Sequence, residues 1–169
     1  MKTENLFDLI QNSAISALAL HSFTLGYNKV SKGRNEEVQF PRIEYTFFVL
    51  PLVYNNNAME IFKSSDQLYT ALSKDYSITL GLQERAQKMA EQTFNGLNLA
   101  FSKKILSYNK DNKTIELMPG FKTERIKFHN ENLNSENSIK KIQLTAYRLG
   151  SIFAKKNKKN IQIELNINF

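Results

Sequence analysis

Cysteine and tryptophan are absent from this chain of 169 residues, histidine occurs twice, proline three times and glycine six times. The missing cysteine excludes disulfides, thiolate metal sites and cysteine nucleophiles together, leaving His21 and His129 as the only imidazoles. Most zinc and triad chemistry goes with them. Aspartate is scarce too: Asp8, Asp66, Asp75 and Asp111 form none of the close pairs that nucleases and glycosidases use. The glycines (Gly26, Gly33, Gly81, Gly96, Gly120 and Gly150) never gather into a phosphate-cradling loop, and there is no Gly-x-Ser-x-Gly elbow. The expectation is a protein that is not an enzyme, with no catalytic residue, metal ligand or cofactor of its own.

Long hydrophobic runs are also lacking. The longest strongly apolar uncharged stretch, Tyr45 to Tyr54, is about ten residues, where a spanning helix needs roughly 20. Lys2, Glu4 and Asp8 interrupt the first apolar segment, unlike a secretion signal. A cytoplasmic protein without membrane contact is expected.

What is present suffices for a core: 41% hydrophobic residues, with Phe and Tyr alone making 11% of the chain. The length fits one domain, read as a helical core plus hairpin over 1–120, a linker over 121–135, and a C-terminal helix and tail over 136–169. The net charge of +7 is uneven. Between Ser102 and Lys159 fourteen basic residues face five acidic ones, a local +9 that leaves −2 for the remainder. Such a region resembles a nucleic-acid footprint, and equally a lysine-rich solvated surface. Its sharpest cluster, Lys155, Lys156, Lys158 and Lys159, sits where cations also offset a helix macrodipole, and Lys110 and Lys113 fall in a predicted hairpin turn. These six are the candidate nucleic-acid contacts. His21, on an apolar helix, reads as structural, and His129 has no second ligand at metal spacing.

Periodicity predicts an opening helix over Leu6 to Thr24, from Phe7, Ile10, Ala14, Ala17 and Leu18, then a polar loop from Gly26 to Pro41. Arg42 to Tyr54 fits a strand or a buried helix; Pro51 favours the helix. Ala58 to Phe62 and Ser65 to Ser73 read as short helices, the second capped by Ser64, Ser65 or Asp66. Leu80 to Phe101 carries Leu82, Ala86, Met89, Thr93, Leu97 and Ala100 on one face, predicting a single long helix. Ile105 to Tyr108 and Thr114 to Met118 around an Asn- and Asp-rich turn predict a hairpin. The last helix spans Glu136 to Lys156, with Ile139, Ile142, Ala146, Leu149 and Phe153 in line. The tail from Asn160 to Phe169 alternates strictly, as a strand does, although a docked helical turn also fits. Together these elements predict an α+β, mostly α fold: a winged-helix-like helical domain with a β-hairpin wing and a C-terminal helix.

Three stretches carry a family likeness: Asn5 to Leu20 (NLFDLIQNSAISALAL), Phe48 to Tyr54 (FVLPLVY) and Arg148 to Ala154 (RLGSIFA). Their content and order resemble the middle component of three-component ABC systems, a small subunit type also found in Lamassu-like bacterial defence operons. Ser13, where the family often has proline, and the ending Leu165 to Phe169 depart from the pattern. The resemblance implies a non-catalytic adaptor joining an SMC-like or ABC ATPase, which senses foreign DNA, to an effector such as a nuclease, with DNA met mainly through the complex. Within this likeness, Tyr147 and Arg148 are candidate partner contacts, being residue types enriched at interface hot spots. The competing reading is a stand-alone winged-helix DNA-binding transcriptional regulator.

Overall fold

The computed structural model of the chain describes residues 12–127 and 133–169; Phe7, Ile10 and His129 lie outside them. The first described helix, α1 (Ser13–Gly33), starts at Asn12, whose Oδ1 accepts the Ala14 N–H at 2.8 Å. From Ile15 to Tyr27 every residue of α1 is buried, including Ser16, His21, Ser22 and Thr24. Such a helix is surrounded rather than laid on a surface. It continues nine residues past Thr24, correcting the loop expected from Gly26; the irregular segment begins only at Arg34.

The apolar stretch after it forms two short helices, α2 (Ile43–Thr46) and α3 (Val49–Val53), in place of one core helix. Pro51 takes the third position of α3, where its missing N–H has no intrahelical partner to lose. The next pair are α4 (Asn56–Lys63), capped by Asn55, and α5 (Leu68–Lys74), whose cap position is Gln67. None of Ser64, Ser65 or Asp66 caps α5: Ser64 and Ser65 instead turn their hydroxyls back onto the end of α4. A single 3-10 turn (Tyr76–Thr79) leads on to the next helices.

The long helix expected over Leu80 to Phe101 is divided into α6 (Leu82–Lys88) and α7 (Ala90–Ser102), with Met89 at φ −97° and ψ 5° between them. Gly81, at φ +62°, starts α6 and leaves Leu80 outside it. Strands β1 (Leu106–Asn109) and β2 (Thr114–Leu117) then form the expected antiparallel hairpin, with Leu106 opposite Leu117 and Asn109 opposite Thr114. Asn109 Oδ1 holds the turn by accepting the N–H groups of Asp111 and Asn112 at 3.0 and 3.2 Å. The hairpin is tied to the segment before α2, since Ile115 N–H donates to Pro41 and Ile43 N–H to Lys113.

Helix α8 (Leu133–Phe153) packs along α1, the most extensive helix pair in the molecule. Backbone touches backbone there. A Cβ on Gly26 would lie 2.0 Å from the Tyr147 carbonyl oxygen, and one on Gly150 would lie 2.0 Å from the Phe23 oxygen. The Ser151 hydroxyl sits in the same contact, 3.3 Å from the Gly26 carbonyl oxygen. Phe23, Phe153 and Tyr45 stack edge to face around the crossing. The tail is helical, α9 (Lys158–Leu165), correcting the strand suggested by its alternation. Ile161 and Leu165 are buried at helical spacing while Ile163 faces solvent; the chain then turns at Asn166, in the left-handed region, to bury Ile167. The resulting fold is mostly helical with one small hairpin, an α+β arrangement.

Candidate interaction surfaces

His21 is completely enclosed: its Nε2–H donates to the Phe121 carbonyl at 2.9 Å, and its ring meets the Phe121 ring edge-on at 6.0 Å. Burial holds its pKa below the ordinary 6.5, with the Phe121 bond acting in the opposite direction. It fastens the segment after the hairpin to α1. Among the described residues no group of three or more His, Asp or Glu side chains is arranged to hold a metal.

The lysine cluster near the C-terminus is engaged by its own chain. Lys155 donates to the Asp66 carbonyl at 2.8 Å, Lys156 pairs with Glu164 at 2.8 Å, and Lys158 pairs with Glu44 at 2.6 Å while lying 5.6 Å from the Phe169 ring centre. Lys159 is exposed, and its side chain makes no bond among the described residues. Lys155, Lys156 and Lys158 staple the ends of α8 and α9 to the elements beside them. Lys110 and Lys113 both expose their side chains at the hairpin turn, where Lys113 adopts φ +55°. The candidate nucleic-acid contacts thus divide between a bonded C-terminal group and an open turn.

Tyr147 and Arg148 are half-buried on α8. The Tyr147 ring receives the Lys29 ammonium at 5.9 Å and lines a cleft of about 950 Å³ between the second half of α1, residues 123–127 and α8. Arg148, its neighbour, is not part of that lining. The residues 123–127 that wall the cleft are pinned by Gln143, whose Nε2 donates to the Ile126 carbonyl at 2.7 Å. Sequence reading missed this cleft because its cations, Lys29, Arg125, Lys127 and Lys141, are dispersed along the chain and Lys29 fell in the expected loop. No local signal joins them.

A second, small hollow of about 220 Å³ beside α6 is lined by Phe47, Phe48 and Phe169. Phe169 lies 4.9 Å from Tyr45 and 5.3 Å from Phe48, centre to centre, and the Gln83 side-chain amide bonds the Asn168 backbone in both directions, at 2.9 and 3.3 Å. The docked tail forms one wall of the hollow.

No helix among the described residues is long and apolar enough to cross a membrane. Fold and surfaces define a mostly helical protein whose lone described imidazole and most prominent lysine cluster serve its own packing. The chain belongs to the ABC-three component (ABC-3C) system Middle Component 3 family, whose model matches residues 1–169. Neither the curated proteins nor the solved structures include a match to it.

Proposed function

We propose that this chain is the non-catalytic adaptor of a bacterial defence complex of the Lamassu-like kind, joining an SMC-like or ABC ATPase that senses foreign DNA to an effector such as a nuclease. The observation that carries this reading is family membership over the whole chain, because a middle component implies companion subunits. The surface is consistent with assembly: Tyr69 on α5, and Tyr76 and Leu80 between α5 and α6, hold large apolar side chains in solvent, and tyrosine is favoured at interfaces. In this reading the chemistry belongs to the partners. The test is co-expression with the products of the adjacent genes, affinity capture of this chain, and mass determination after size exclusion. Recovery of a large ATPase with an effector supports the adaptor; recovery of this chain alone overturns it.

One observation favours a second reading, DNA contact through the hairpin: Lys110 and Lys113 stand open at its turn, following a helix. That reading predicts duplex binding by the chain alone at low salt, abolished by Lys110→Glu with Lys113→Glu. Absence of binding by the unaltered chain removes it.

A further inference from the structure

We infer that the cleft between α1 and α8 is the docking site for an acidic, amphipathic segment of a partner subunit. The inference rests on the adaptor reading and assigns a surface to it. Lys29, Arg125, Lys127 and Lys141 converge on the cleft from three separate stretches of chain, and all four are solvent-exposed. Glu124 is the one acidic residue among its described lining. An opening walled by cations complements negative charge.

The surface between the cations decides the class of occupant. Ile126, Leu144 and Tyr147 give it an apolar lining, and Tyr147 is the one aromatic ring among the described lining. A nucleic-acid strand tracks cations and stacks its bases on a series of rings, whereas the described lining offers a single ring, already covered by Lys29. A protein segment bearing carboxylates beside leucine- or aromatic-type anchors matches both parts of the lining at once. The Gln143 to Ile126 bond fixes this part of the wall in advance.

The contrast with the C-terminal lysines strengthens the assignment. Lys155, Lys156 and Lys158 are spent on Asp66, Glu164 and Glu44. Arg125 and Lys127 make no side-chain bond within the described chain and are available to a partner.

The test uses the full chain and two triple variants of equal charge change: Arg125→Glu/Lys127→Glu/Lys141→Glu in the cleft, and Lys88→Glu/Lys103→Glu/Lys104→Glu at the C-terminal ends of α6 and α7 as control. All substituted side chains are exposed, and melting curves matched to the unaltered protein verify folding. The first readout is capture of the subunits encoded beside the gene. Loss of capture in the cleft variant alone is expected. Equal capture by all three proteins overturns the cleft while leaving the adaptor reading intact. The second readout is titration with labelled poly(Glu,Tyr), poly-Glu and oligo-dT. The unaltered chain should bind poly(Glu,Tyr) at least ~10-fold tighter than either of the others, and the cleft variant should lose that margin. Tighter binding of oligo-dT that depends on the cleft overturns the inference in favour of nucleic acid. If no neighbouring subunit is captured by the unaltered chain, the adaptor reading fails, and the poly(Glu,Tyr) margin alone decides the cleft.

Discussion

His21 shows how a chemically versatile side chain becomes a structural one. Its ring is sealed against Phe121, and burial lowers its pKa from 6.5. The unfolded chain therefore takes up a proton near pH 6.5 that the folded chain resists. Stability from this group is complete above that value and declines as the pH falls from it toward the folded value, by at most about 1.4 kcal/mol per pH unit. His21→Gln keeps a donor for the Phe121 carbonyl and removes the titration. Denaturant midpoints compared from about pH 7 to about pH 5.5 should fall for the unaltered chain and fall less for the variant. Equal slopes would refute the assignment. Phe169 is a second case, its ring set against Tyr45 and Phe48 under the Lys158 ammonium. Phe169→Ala is expected to cost about 2 kcal/mol, the sum of lost aromatic pairing and burial, read from urea unfolding.

At the scale of elements, the glycines of α1 and α8 act through space rather than backbone freedom. Gly26 and Gly150 let the two helices meet at their main chains, and any Cβ drives into a carbonyl that belongs to the other helix. Gly26→Ala and Gly150→Ala are each expected to destabilise by roughly 3 kcal/mol, lowering the melting midpoint by about 10 °C. Gly33→Ala, with nothing within 4 Å of its Cβ position, serves as the neutral comparison in the same calorimetry. The sequence signals treated Gly26 as a breaker, and so ended α1 too early. The sequence pattern gave α8 and the hairpin correctly because Ile139, Ile142, Ala146 and Leu149 are buried at helical spacing, and Asn109 is a local turn-former. It misread the tail because alternation at 161, 163 and 165 is also met by a helix burying only the first and third positions. The cation cleft depends on contacts between distant segments, which no window along the chain contains. Where the structure describes them, the three stretches that carry the family likeness are packing elements: the Asn12 cap with the buried start of α1, the enclosed α3, and the Gly150 crossing. Legible family and illegible site have one origin, since buried contacts constrain a sequence pattern that an open cleft does not.

For the molecule as a whole, α1 is the axis around which α7, α8 and β2 gather. Its amides from Leu18 to Tyr27 and those of α8 from Ile142 to Phe153 should exchange with solvent together, at the rate of global unfolding, while the hairpin turn exchanges sooner. Hydrogen-exchange mass spectrometry checks this, and independent exchange of α1 and α8 would refute the axis. The same pairing has a consequence for biosynthesis. The bond from Ser151 to Gly26 spans 125 positions, so this helix pair closes only after residue 151 has left the ribosome. Until then the apolar sides of α1 await their cover, and a nascent chain in that condition is a substrate for trigger-type chaperones and prone to pairing with other unfinished copies. Production of this protein should respond more to chaperone supply and slowed translation than to any adjustment of its surface.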